Sequence, residues 1–170
     1  LDALTRLIAP VLSFTAEEIW GFLPGEREQS VHLAGFPRFE TRLLDAELEA
    51  RYERLLAVRS DVSKALELAR NEKKIGHSLD ARVLLEVPEG DWRDLLTAYR
   101  DELATIFIVS QVELTENLGD AVAGEEVKSL RVRIEKALGE KCERCWNYAV
   151  TVGESEEHPT VCHRCREALA

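Results

Sequence analysis

Four cysteines carry the most specific chemistry in this chain, and all of them lie near its end. They form two Cys-x-x-Cys pairs, Cys142/Cys145 and Cys162/Cys165, within Lys141-Cys142-Glu143-Arg144-Cys145-Trp146 and Val161-Cys162-His163-Arg164-Cys165, separated by a 16-residue spacer. Each pair delivers two thiolates from one tight knuckle, and such a spacer lets the knuckles face each other around one metal ion. Four thiolates close a tetrahedral coordination sphere, so the expected ion is one structural zinc with no open catalytic position. Two disulfides would suit a secreted chain, but no secretory signal is visible and the cysteines are gathered in one module. A redox dithiol uses a single Cys-x-x-Cys between a strand and a helix. His158 and His163 lie close in sequence, but beside four thiolates they read as bystanders. The segment has few large apolar residues, so metal binding is expected to supply most of its folding free energy, on the order of 10 kcal/mol.

The residues before Gly139 must form the scaffold for this module. Leu4, Leu7, Ile8, Val11 and Leu12 give an apolar helical face interrupted by Pro10. Thr15-Ala16-Glu17-Glu18 has the capping-box pattern, followed by an apolar set of Ile19, Trp20, Phe22 and Leu23 that stops at Pro24-Gly25. Residues 30–37 read as a short extended connection, with His32 a loop or packing histidine. From Leu43 to Lys74, Leu44, Leu48, Leu55, Val58, Val62, Leu66 and Ala69 keep helical spacing. One helix of roughly thirty residues would be about 45 Å long. It closes on Arg70, Lys73 and Lys74, with Gly76 as the expected C-terminal glycine. That basic turn reads either as a complement to the helix dipole or as a phosphate contact.

Beyond Gly76 the period changes. Ala81 to Val87 reads as a strand, and Asp91 as the cap of a helix burying Trp92, Leu95, Leu96 and Tyr99. Two further strands are expected over residues 106–114 and 127–134, around a polar loop with Gly119 and Gly124. In the last of these Arg131 and Arg133 alternate with apolar residues, so one face packs and the other is positive. Trp92 is expected in the core, and Gly139 marks the joint to the zinc module. The fold class is α+β: a helical part of an N-terminal bundle with one long helix (1–76), a small α/β unit with a short, mostly antiparallel sheet (77–138), and a zinc-binding module (139–170).

Composition narrows the function. Net charge is −10, from 32 acidic and 22 basic residues, which argues against coating nucleic acid by bulk charge and leaves only local basic surfaces. No apolar run approaches the roughly 20 residues that span a bilayer, so no membrane partner is expected. Free, metal-suited cysteines point to the cytoplasm. The chain has no methionine and starts on an amphipathic pattern, as expected of a segment of a longer protein. There is no phosphate-cradling glycine loop, Ser/His/Asp order or nucleophile elbow, and the carboxylates fall on solvent faces of helices. No catalytic residue is assigned.

Three stretches bring a family into view. Residues 7–20, Leu-Ile-Ala-Pro-Val-Leu-Ser-Phe-Thr-Ala-Glu-Glu-Ile-Trp, with Ser30-Val31-His32-Leu33 and Phe36-Pro37, resemble the anticodon-binding helical domain of class I aminoacyl-tRNA synthetases. Lys74-Ile75-Gly76-His77-Ser78-Leu79-Asp80-Ala81 resembles the junction after that bundle in isoleucyl-tRNA synthetases, and the two cysteine knuckles resemble the C-terminal zinc module of the bacterial isoleucine enzymes. A similar finger closes DNA glycosylases of the formamidopyrimidine type, but their N-terminal Pro-Glu is not at the start of this chain, and its first 80 residues fit the synthetases. The resemblance implies a tRNA-recognition region whose parent joins isoleucine to isoleucine tRNA with ATP. ATP and isoleucine would then bind only through a catalytic domain elsewhere in that chain, since the class signatures are absent here. Under this reading Trp146 stacks on an anticodon-loop base, and Arg144 and Arg164, flanked by Lys141 and Arg166, hold phosphates or a base edge. Arg70, Lys73 and Lys74, with Arg131 and Arg133, would form a second positive surface. The alternative is a zinc-stapled structural or protein-interaction module, with Trp146 packed over the metal and the arginines screening thiolate charge.

Overall fold

The computed structural model describes residues 1–169. Pro10 breaks the first helical run into α1 (Asp2–Ile8) and α2 (Ser13–Phe22). The backbone N–H groups of Val11 and Leu12 both donate to the Ile8 carbonyl, at 3.0 and 2.8 Å, which carries the chain straight into α2. The helix therefore starts at Ser13 with no side-chain cap, and the capping box expected at Thr15 does not form. The buried set also differs from the expected one. Thr5, Ala9, Ala16, Trp20 and Val31 are buried, whereas Leu4, Leu7, Val11, Leu12 and Phe22 are exposed. Small Ala9 and Ala16 form the seam, and Trp20 fills it while donating its Nε1–H to the Glu28 carbonyl at 2.8 Å. Residues 31–34 form a turn instead of an extended connection, because the Leu33 N–H folds back to the Ser30 carbonyl. Glu17 pins that turn: its carboxylate accepts from Ser30 Oγ (2.8 Å) and from the Val31 N–H (3.1 Å), with exposed His32 at 4.0 Å.

By internal contacts the chain divides into Leu1–Asp45 and a second unit beginning at Ala46. The second unit opens with α3 (Ala46–Asn71), 26 residues long and so about 39 Å. It starts later than the periodicity implied, because Thr41–Leu43 is a 3-10 turn, and Leu44 and Leu48 are exposed. Leu55, Val58, Val62, Ala65, Leu66 and Ala69 are buried and share one core with the sheet that follows. That core runs across the 76/77 division read from the sequence. The helix ends in a Schellman-type turn, with Lys73 N–H to Arg70 O and Lys74 N–H to Ala69 O at 3.0 and 2.9 Å. The left-handed residue of this turn is Lys73 (φ 59°), not the expected Gly76.

The sheet has the order β2-β1-β4-β3. Central β1 (Ala81–Glu86) leads through α4 (Asp91–Ala98) and α5 (Leu103–Phe107) to β2 (Gln111–Thr115), which lies parallel to it. Next come β3 (Val122–Ala123) and β4 (Arg131–Lys136); β4 is antiparallel to both β1 and β3. Three expectations are corrected here. Gly90 (φ 124°), not Asp91, is the N-cap of α4. Residues 103–107 are helical because Leu103 and Phe107, four apart, are both buried. The helix then stops at left-handed Ile108, so the strand expected from 106 begins at Gln111. Val127–Leu130 is a turn closed at 2.9 Å, which delays the last strand to Arg131. Trp92 is partly buried against the core, as expected, under the Arg54 guanidinium at 4.4 Å.

A buried carboxylate ties α3 to the β3–β4 connection. Asp61 (3% exposed) accepts from the N–H groups of Glu125, Glu126 and Val127 at 2.8, 3.0 and 2.9 Å. Burial disfavours its charge, but these three donors and Lys64 outweigh that and hold it below the ordinary carboxylate range. A Cβ on Gly124 would fall 2.4 Å from the Val127 carbonyl and 2.7 Å from Asp61 Oδ2. The chain ends in a hairpin of β5 (Glu140–Lys141) and β6 (Tyr148–Ala149), then α6 (His163–Glu167). Among the described residues no helix is long and apolar enough to cross a membrane.

Candidate metal centre and the surface around it

The first knuckle is the loop of the β5–β6 hairpin. The Cys142 N–H bonds the Asn147 carbonyl at 2.9 Å, and the Trp146 N–H returns to the Cys142 carbonyl at 2.8 Å with Trp146 in the left-handed region (φ 66°). The second knuckle opens α6, with Cys162 as its N-cap residue. This brings Cys142, Cys145, Cys162 and Cys165 together with all four Sγ atoms within 4.8 Å of one another. A ZnS₄ tetrahedron with ~2.3 Å bonds needs sulfurs about 3.8 Å apart, and Cys145 and Cys162 Sγ stand at 3.7 Å. Cys142, Cys162 and Cys165 are buried, so the site is closed to substrate.

The donor set is electrostatically ready for a cation. Burial works against the Cys142 thiolate, yet the backbone N–H groups of Cys145, Cys162 and Arg144 bring its pKa down to about 6. Cys162 is pushed up to about 12, by burial first and then by sharing the cluster with the other sulfurs. One thiolate among four close sulfurs opposes ionisation of the next, and a divalent ion removes that conflict. The histidines face elsewhere, as expected of bystanders: His163 Nδ1 is 2.9 Å from Arg166 and Nε2 is 3.3 Å from Glu167. His158 is outside the sulfur cluster.

The module is fastened to the sheet by contacts the sequence did not reveal. Ser110 Oγ donates to the Leu79 carbonyl at 2.5 Å and accepts the Tyr148 N–H at 2.7 Å. The Gln111 side-chain amide pairs both ways with the Leu138 backbone at 2.9 Å. Gly139 (φ 86°) makes the joint, where a Cβ would sit 2.3 Å from the Ala149 carbonyl carbon.

Around this centre Trp146 stands outward, 61% exposed, with Lys141 Nζ 5.5 Å from its ring centroid. Arg144 and Arg164 are exposed on the two knuckles. A hydrogen bond to the Cys145 sulfur raises the Arg164 pKa further, so this arginine is in part a thiolate partner. Arg166 is engaged by His163. Arg70, Lys73 and Lys74 meet Lys136 and Tyr148 in one cleft of about 520 Å³. Arg131 and Arg133 are occupied on β4, donating to the Gly119 carbonyl and pairing with Glu135, both at 2.9 Å. Lys136 and Tyr148 were missed in the sequence. Lys136 carried a signal, since it occupies the apolar parity of Val132 and Ile134 as a cation.

Two family matches cover most of this architecture. "Anticodon-binding domain of tRNA ligase" matches residues 1–85, and "Zinc finger found in FPG and IleRS" matches residues 139–168. With the geometry above, the second match identifies the four cysteines as the ligands of one structural zinc ion. Similar curated proteins include an isoleucine--tRNA ligase of Syntrophotalea carbinolica, 68% identical over 169 residues, covering 99% of this chain and 18% of the relative. Those of Geobacter sulfurreducens and Moorella thermoacetica are 52% and 48% identical, over 99% and 97% of this chain. The chain thus spans 18% of the length of each of these relatives.

Proposed function

Because the chain belongs to the anticodon-binding domain family of tRNA ligases, we propose that it is the anticodon-end tRNA-recognition region of a cytoplasmic isoleucine--tRNA ligase. The longer protein would join isoleucine to its tRNA with ATP, and the residues described here would bind and position the tRNA without performing chemistry. One observation carries this reading most directly: Trp146 is held by the zinc knuckle in a fixed backbone conformation with its ring outward. A large aromatic on a rigid mount, with Lys141, Arg144 and Arg164 nearby in the fold, is the equipment for stacking an unpaired base and neutralising its phosphate. Arg166, 2.9 Å from His163 Nδ1 in α6, adds positive charge to the module. The rest of the synthetase chain is the second partner. Leu4, Leu7, Val11, Leu12, Phe14 and Phe22 leave apolar surface on the first unit, of the kind that a neighbouring segment covers.

A second reading has its own support. The Ser110 and Gln111 hydrogen bonds staple the zinc module to the sheet, and the chain is acidic, so zinc could serve anchorage alone. An anisotropy titration separates the two. The zinc-loaded chain is added to a labelled isoleucine-tRNA anticodon stem-loop, and to one with an altered anticodon, at the same low salt. Tighter binding to the isoleucine sequence, reduced on chelation, is expected. Absence of binding to either RNA assigns the module to the structural reading.

A further inference from the structure

The cleft at the end of α3 is lined by more cations than anions. Four cations line it, but Arg70 is paired with Glu67 and Lys74 with Glu72. Lys73 and Lys136 form no ion pair among the described residues. The one carboxylate in the lining, Asp80, pairs with neither lysine: its Oδ2 accepts the Gly76 and His77 N–H groups at 3.1 and 2.7 Å. In a chain of net charge −10, a cleft lined by Arg70, Lys73, Lys74 and Lys136 against a single carboxylate is locally positive and suits an anion. Lys73 adds a second, independent mark. It occupies the left-handed position of the helix-ending turn (φ 59°), where glycine is the relaxed choice and a side chain is strained. Strain kept at a cleft wall points to a use for the side chain.

We propose that this cleft seats one phosphodiester of a single-stranded RNA segment, held between the Lys73 and Lys136 ammonium groups, with the Tyr148 ring as its wall. The proposal rests on the RNA-binding reading above and extends it to a second contact. A free polyphosphate is the poorer fit, because the amides of Gly76 and His77 are consumed by Asp80 and leave no backbone cradle. Lysines act as point charges suited to a backbone monoanion. Tyr148 lies two residues beyond Trp146, within about 7 Å along the backbone, so one strand can pass both rings.

The test uses the zinc-loaded 170-residue chain, the same labelled stem-loop, and the variants Lys73→Gly, Lys136→Gln and their combination. Lys73→Gly keeps the left-handed turn while removing the ammonium and its stem, so its Tm should equal or exceed that of the unsubstituted chain while its RNA affinity falls several-fold. The slope of log affinity against log salt should shrink by about 0.7 per lysine for a single-stranded contact. Unchanged affinity and slope in the double variant, with the unsubstituted chain still binding, overturn the cleft and leave the anticodon reading standing. Loss of all RNA binding in the unsubstituted chain overturns both. Inorganic phosphate alone is titrated in parallel. Tight phosphate binding abolished in the double variant, with RNA affinity intact, would reassign the cleft to a small anion and also overturn the proposal.

Discussion

Asp61→Asn tests how the second unit is held together. The carboxylate is 3% exposed and accepts three backbone N–H bonds from the β3–β4 connection. In the amide variant the remaining oxygen can still serve Glu125 and Glu126, but as a neutral acceptor. The new NH₂ group meets the buried Val127 N–H donor to donor. Leaving that donor unsatisfied costs about 1–3 kcal/mol, and weakening two charge-assisted bonds adds roughly 1 kcal/mol. The expected loss is therefore about 2–4 kcal/mol, read from urea unfolding of the zinc-loaded chain by far-UV circular dichroism with an unchanged m-value. The pH dependence has a definite sign. The folded pKa of Asp61 is depressed, so its contribution is present above the unfolded value near ~3.9 and disappears as pH falls through the folded value. The gap between unsubstituted and variant chains should be flat from pH 5 to 8 and shrink below about pH 4. A loss under about 0.5 kcal/mol at pH 7, or a gap undiminished in acid, would refute this account of the latch.

Gly139→Ala places a Cβ 2.3 Å from Ala149 backbone at a left-handed position, so the hairpin must shift. Weaker zinc retention in a chelator competition, with the far-UV signal of α3 preserved, is expected. Zinc affinity should fall as pH drops from 8 to 6, by at least about tenfold per unit, because binding must displace the proton that Cys162 holds up to about 12. Below about 6 the Cys142 thiolate is also lost, and zinc release followed by a colorimetric chelator should accelerate there. Trp146→Ala should reduce stem-loop affinity by about 1–3 kcal/mol without lowering the Tm, since the ring is largely exposed. An unchanged affinity would remove the stacking role.

The parts legible in the sequence are those fixed by local spacing. Cys-x-x-Cys pairs close their own knuckles, so the metal centre followed from residue order alone. Leu55 to Ala69 repeat on the helical period and are buried as expected. Burial in the first unit was not legible, because small Ala9 and Ala16 set the seam while larger Leu4 and Leu7 stayed outside it. The run Leu103-Ala-Thr-Ile-Phe107 suits helix and strand alike, and tertiary burial of its two ends decided for helix. Asp61 looked like one more acid on a charged helix. Its partners lie more than sixty residues away, a distance over which no local pattern operates. The basic cleft was hidden for the same reason, since Lys73, Lys136 and Tyr148 come from three separate elements that only the folded chain brings together.

Hydrogen exchange of the zinc-loaded chain, with and without saturating isoleucine-tRNA anticodon stem-loop, tests the central claim most directly. The account predicts slowed exchange in two places at once: the knuckles over residues 141–146 and 162–166, and the cleft segments over residues 70–76 and 136–137. Protection confined to residues outside those segments, or no protection of either knuckle at saturating RNA, would contradict it.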